Sequence, residues 1–287
     1  MGLLDGLSQF GLGGLEEMDL YEVAAKEKKQ QETAAAAAAV HVPQEQDYIF
    51  DKTYSCPICD HEFKTKTVKI GKAKLVGQDL DLRPKYENID MLKYDTILCP
   101  KCGYTALSRY FKFVTAPQAQ RIKQVISRSF KSTSKNEETY SYEEALDRYR
   151  MALANAIVKQ AKPSEKAYIC LKTAWLLRGQ GESLDQGSPD YKEKKQKIDD
   201  DENEFLKNAL EGFLAARKTE GYPMCGMDES TVDYLIAVIA LRFDDFDVAT
   251  KLISGILVSG SANARMKEKA RNLKEIVMVK IKEKQRG

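Results

Sequence analysis

Two short hooks, Cys56-Pro57-Ile58-Cys59 and Cys99-Pro100-Lys101-Cys102-Gly103, hold the residues best suited to chemistry in this chain. Four thiolates in two C-x-x-C turns can surround one divalent ion, as a tetrahedral all-cysteine zinc site requires. Pro57 and Pro100 suit the tight turns, Gly103 can take the positive φ that closes a knuckle, and backbone N–H groups can offset the sulfur charge. The expected centre is one structural Zn2+ held by Cys56, Cys59, Cys99 and Cys102 in a zinc ribbon. Such a closed centre holds a fold together and performs no reaction. The alternatives are a redox C-x-x-C pair and iron–sulfur occupancy. A thioredoxin-like pair needs a hook at a helix N-terminus in a βαβ setting, whereas both hooks here follow strand-like segments.

Other reactive side chains make weaker candidates. His61 could replace a ligand or aim at a metal-bound water, but four cysteines already fill the tetrahedron, so a solvated histidine is expected. His41 falls in a linker. Cys170 lies in the apolar run Ala167 to Leu177 and reads as a small hydrophobe, while Cys225, in a Tyr-Pro-Met-Cys-Gly loop, reads as structural with a reactive thiol as the alternative. Two histidines outside any H-E-x-x-H setting cannot build a catalytic zinc with an open position. The chain also lacks a G-x-S-x-G elbow, a G-x-x-x-x-G-K loop and a dinucleotide G-x-G-x-x-G turn. No catalytic residue and no organic cofactor site is expected, so the chain reads as a non-enzyme.

Positioning the hooks falls to the elements around them. A chain of 287 residues with 43% hydrophobic residues can bury a real core. Its 45 basic and 43 acidic residues nearly cancel, so nothing global draws it to nucleic acid or anionic membrane. No signal peptide and no membrane-length apolar run is visible, which predicts a cytoplasmic protein with reduced thiols and no membrane partner. Residues 1–47 read as a Gly- and Leu-containing tail followed by an Ala-rich linker; Leu3, Leu4, Phe10 and Leu15 could instead anchor a docking segment. Residues 48–114 shift to short β-type segments: Thr67, Val68, Lys69 and Ile70 alternate, and Thr96-Ile97-Leu98 runs into the second hook.

From residue 115 to 287 the period is helical. Val232, Leu235, Ile236, Ile239, Ala240 and Phe243 fall on one face, as do Ala270, Leu273, Val277 and Ile281. Ser141 with Glu144 suggests a capping box, and Pro163-Ser164 restarts a helix after Gln160. Ala145, Tyr149 and Ala152, then Ala209, Phe213 and Ala216, and more loosely Ala249, Ile253 and Ile256, repeat a small-residue spacing suited to close helix pairs. Ala237 and the turn Asp244-Asp245-Phe246 complete the best unit. Residues 179 to 204 read as a charged insertion that spoils the regularity, so a tetratricopeptide-like array and a plain antiparallel bundle both account for the stripes. The fold class is α+β, mostly α: a small four-cysteine β module followed by a helical domain.

A basic run, Lys64, Lys66, Lys69, Lys72, Lys74, Arg83 and Lys85, interleaves with Phe63 and Tyr86 between the hooks. It could touch phosphates and stack bases, or serve as a solvated face or a guarded strand edge. Residues 265 to 286 add nine basic and three acidic side chains.

Cys56-Pro57-x-Cys59, Asp79-x-Asp81-Leu82-Arg83-Pro84-x-Tyr86, Tyr94 and Cys99-Pro100-x-Cys102-Gly103-Tyr104 together resemble the signature of an uncharacterised bacterial family, domain of unknown function 2225, common in Firmicutes. The resemblance runs from about Tyr48 to the C-terminus, and Met1 to Asp19 is similar to tails of clostridial members. It implies a zinc-ribbon-like start and tetratricopeptide-like helices, and implies no activity. Within the signature, Asp81 and Arg83 could pair or recognise a charged partner, and Tyr86 could pack under the metal loop; an ordered loop covering the ribbon is the plainer account. The expected function is a zinc-binding adaptor whose helices bind a protein or peptide, with nucleic-acid binding as the alternative.

Overall fold

Alternating sequence gives three antiparallel pairs in the computed structural model, which describes residues 43–132 and 138–286. Strand β1 (Ile49–Ser55) pairs with β2 (Glu62–Val68), β3 (Leu75–Gln78) with β4 (Pro84–Tyr86), and β5 (Thr96–Leu98) with β6 (Thr105–Leu107). The β2 strand stops at Val68, short of the expected Ile70. There Lys69 N–H donates to Tyr48 O at 2.7 Å, and Ile70 is left fully exposed. A lone two-stranded hairpin is marginal in water, so each pair needs outside support.

Seven helices supply most of that support among the described residues: α1 (Ala116–Ile122), continued by a π turn over Lys123–Ser127, then α2 (Tyr142–Val158), α3 (Pro163–Glu182), α4 (Tyr191–Thr219), α5 (Glu229–Arg242), α6 (Phe246–Val258) and α7 (Ala264–Arg286). Their starts follow local chemistry. Ser141 Oγ accepts Glu144 N–H at 3.1 Å, Asp228 caps α5 through Thr231 N–H at 2.8 Å, and Pro163 opens α3, where a missing N–H costs nothing.

Consecutive helices pack side by side, and the alanine-spaced stripes lie inside. Ala145, Tyr149, Ala152, Ala209, Phe213, Ala216, Ala249, Ile253 and Ile256 are all buried. Helix α4 crosses α3 so closely that a Cβ on Gly212 would stand 2.8 Å from the Ala167 Cβ. Helix α5 is buried almost all round, from Val232 to Leu241, which is why its sequence there is apolar apart from Asp233, a buried carboxylate paired with Arg217 at 2.7 Å. The segment expected as an insertion over residues 179 to 204 is mostly helix. After a loop at residues 183–190, its charges form the outer face of α4, while Ile198 and Glu202 turn inward.

Glu45–Gly287 forms one compact unit. A short 3-10 turn, Glu45–Tyr48, belongs to it: the Glu45 carboxylate accepts Tyr94 Oη–H at 2.6 Å and pairs with Lys93. The proposed anchors in residues 1–15, the Ala-rich stretch and His41 lie outside the described residues. No helix among the described residues is long and apolar enough to cross a membrane.

Candidate metal centre

The two hooks are the loops of two hairpins built on one plan. Ser55 pairs with Glu62 around the first, and Leu98 with Thr105 around the second. In each, the leading cysteine N–H donates across the loop, Cys56 to His61 O at 3.0 Å and Cys99 to Tyr104 O at 2.9 Å. Each also closes through a residue at positive φ whose N–H returns to that cysteine: Asp60 to Cys56 O at 2.9 Å and Gly103 to Cys99 O at 3.0 Å. Asp60 thus does in the first hook what Gly103 does in the second. Only the glycine stands out in the sequence, although aspartate is among the few residues that tolerate this conformation.

The hooks face each other and bring all four sulfurs within 4.8 Å of one another. The short approaches cross between hooks, Cys56 Sγ to Cys102 Sγ at 3.5 Å and Cys59 Sγ to Cys99 Sγ at 3.7 Å. Four sulfurs about 2.3 Å from one tetrahedral ion stand about 3.8 Å apart. The spacing therefore fits a single metal ion gripped by both hooks. Ile58 N–H points at Cys56 Sγ at 3.4 Å, and the Lys101 and Cys102 N–H groups turn toward Cys99. Hydrogen bonds from Cys102 and Cys56 hold Cys99 far down, at about 2, despite its burial. The same contacts, with Cys56 and then Cys99, push the Cys102 thiol far up. At Cys56 the Cys102 bond pulls down, but Cys99 and burial outweigh it and the thiol rises to about 12. The cluster accepts a thiolate at Cys99 readily and opposes ionisation of Cys56 and Cys102, and a divalent cation removes that opposition.

Aromatic packing seals the centre. Phe111 and Tyr104 are fully buried and stacked at 5.0 Å, with Tyr54 and Phe63 edge-on to Phe111. Helix α2 clasps the second hook: fully buried Asn155 donates Nδ2–H to Gly103 O at 3.1 Å and to Met151 O at 2.8 Å. Phe130 lies over Gly103, so a Cβ there would meet its ring at 2.5 Å. Gly103→Ala should therefore destabilise the protein by about 2 kcal/mol or more, from the left-handed backbone and the overlap together, while Asp60→Gly should be neutral or mildly stabilising. Urea denaturation of both variants measures the contrast.

His61 is half-buried and stacked on Phe63 rather than aimed at the sulfurs. Cys170 and Cys225 are buried away from the centre. Burial pushes Cys170 up to about 11, and Cys225 donates to Ser164 O at 3.2 Å while burial raises it too. Neither behaves as an activated nucleophile. Ser108, Asp95 and Lys172 form a triad-like line, with Ser108 Oγ donating to Asp95 at 2.5 Å and Lys172 paired to its other oxygen. Burial pulls the Lys172 pKa down, but Asp95 outweighs it and keeps the ammonium charged, so Lys172 cannot take a proton from Ser108.

The signature between the hooks docks on the helices rather than under the metal loop. Asp81 and Arg83 do not pair with each other. Asp81, 5% exposed, accepts Trp175 Nε1–H at 2.9 Å and both terminal nitrogens of Arg178 at 2.9 and 2.7 Å. Arg83, equally buried, forks onto Glu182 at 3.1 and 2.8 Å, and Lys85 joins Asp79 and Glu182 at 2.9 and 3.2 Å. Arg178 also reaches Asp79 at 3.0 Å and Glu202, 2% exposed, at 2.9 Å. Tyr86 packs beside Tyr48, Ile89, Tyr94 and Tyr140, not beneath the hooks. The expected basic face is correspondingly smaller: Arg83 and Lys85 are neutralised, Phe63 is buried, and Lys66 pairs with Asp51 at 3.5 Å.

Residues 49–277 match a family described as an uncharacterized protein conserved in bacteria, DUF2225. No curated protein and no solved structure matches the chain.

Proposed function

We propose that the chain, which belongs to this bacterial family, is a non-enzymatic adaptor in which one structural Zn2+ on Cys56, Cys59, Cys99 and Cys102 fixes a β module against a helical platform for a protein or peptide partner. One observation carries the metal half: two hairpin loops of the same hydrogen-bond plan converge four sulfurs at the spacing of a single tetrahedral ion. An all-sulfur, enclosed ligand set favours zinc over harder cations and leaves no open position for substrate. A set of free thiols, none of the six cysteines being in a disulfide, suits the reducing bacterial cytoplasm. Consecutive antiparallel helix pairs with small residues at their crossings support a tetratricopeptide-like platform, since such pairs present a continuous surface to a bound segment. The charged side chains of the signature are engaged in joining β3–β4 to α3, whose Arg178 in turn reaches Glu202 of α4, which supports an architectural role over contact with nucleic acid.

Elemental analysis of the purified full chain should find one equivalent of zinc. Affinity capture with it should retain proteins whether or not the lysate is treated with nuclease. Iron in place of zinc, or retained material that disappears with nuclease, would overturn the corresponding half.

A further inference from the structure

The loop of the β3–β4 hairpin and helices α3, α4, α5 and α7 meet around a cleft of about 340 Å3. Its wall is aliphatic: Leu206 and Val238 form buried parts, while Leu80 of the hairpin loop and Ile276 of α7 remain 44% and 37% exposed. Apolar side chains held open in a concavity, rather than scattered singly, are what a ligand's own apolar group covers.

Charge selects what else that ligand must carry. The acids lining the cleft, Asp79, Asp81 and Glu182, are already matched by Arg178, Arg83 and Lys85. Of the two cations on its rim, Lys280 is unmatched and Arg242 is matched only at long range. Lys280 is exposed and has no ion-pair partner among the described residues. Arg242, whose side chain is 43% exposed, donates to the neutral Asn203 Oδ1 at 2.9 Å and stands 3.7 Å from Glu202, a carboxylate that Arg178 already holds. With Glu202 counted, four acids stand against the five cations Arg83, Lys85, Arg178, Arg242 and Lys280, so the cleft pairs an open aliphatic wall with one unmatched positive charge, at Lys280.

We propose that this cleft seats an extended segment of a partner protein bearing an aliphatic side chain next to a carboxylate, the side chain between Leu80 and Ile276 and the carboxylate at Lys280 and Arg242. The inference rests on the platform reading above and gives it a place and a ligand chemistry.

Selection of displayed random heptapeptides on the full chain, followed by fluorescence polarisation of a dye-labelled winner, tests it. Enriched peptides should carry Asp or Glu beside Leu, Ile, Met or Phe. Lys280→Glu and Ile276→Asp should each weaken the winner at least about tenfold with an unchanged melting midpoint, as should amidation of the peptide's acid, while Lys72→Glu, exposed before β3 and outside the cleft lining, should not. Winners lacking an acid, or binding indifferent to Lys280→Glu and Ile276→Asp, would overturn the site and leave the platform standing with its groove elsewhere. No enrichment overturns the site alone if affinity capture still retains proteins, and both readings if it does not.

Discussion

On the proposed function, replacing Cys102 with Ser should abolish metal binding at the four-cysteine site and free the two hooked hairpins while the helical core persists. The expectation follows from what each part has to stand on. The β1–β2 and β5–β6 pairs have two strands each and share a small core of Phe63, Ile97, Tyr104, Ala106 and Phe111 around the sulfurs. Structural zinc contributes on the order of 10 kcal/mol or more to such modules at neutral pH, comparable to the whole stability of an ordinary domain. The core around α3, α4, α5 and α6 is larger and does not include the cysteines of the hooks. Hydrogen exchange should show amides of Ile49–Val68 and Thr96–Leu107 losing protection in Cys102→Ser while those of Glu229–Arg242 keep theirs. Acid should mimic the substitution: the ligands bind as thiolates, so metal-derived stability is present at neutral pH and is lost as falling pH reprotonates them. Equal protection in both proteins, or simultaneous loss across all helices, would refute this division.

The hooks were legible because their chemistry is local: two cysteines, a proline and a turn closer within five residues specify a knuckle wherever it sits. Helix stripes were legible for the same reason, since a period of 3.6 is written along the chain. Asp60 escaped notice because a positive φ is usually sought at glycine, although aligning the two hooks places Asp60 opposite Gly103. The signature's partners escaped for a different reason. Arg178 and Glu182 lie almost a hundred positions from Asp81 and Arg83, and no periodicity links a loop to a distant helix. Glu202 was hidden in an acidic run whose other members are half-buried or exposed; only its helical spacing from the apolar Ile198 and Leu206 marks it as inward-facing. The lone tryptophan was a usable signal, because a buried indole needs an acceptor for its N–H, and Asp81 supplies it.

Arg178→Met should cost about 3–5 kcal/mol, the range for breaking a buried ion pair by removing one partner. The guanidinium is the shared cation of Asp79, Asp81 and Glu202, with every nitrogen engaged. Methionine fills similar volume, so packing changes little, but Asp81 is left with the Trp175 N–H and Glu202 with Arg242 at 3.7 Å. Arg178→Lys should fall between, because a single ammonium cannot fork onto two carboxylates and reach a third. The dependence on pH separates this account from lost packing. In the native protein, burial pushes Asp79 and Glu182 up, but Lys85 and Arg178 at the first and Arg83 at the second outweigh it and hold both below the usual carboxylate range. Their contribution is therefore present above the unfolded pKa, about 4, and is lost as pH falls through the lower folded values. In Arg178→Met, Asp79 loses the share of that lowering that Arg178 supplies. The stability gap between the two proteins should therefore be full at neutral pH and narrow as pH falls below the unfolded carboxylate pKa, about 4. A gap that is constant with pH in urea denaturation would mean that Arg178 acts through its hydrocarbon stem, and that the β3–β4 hairpin is held by shape rather than by charge.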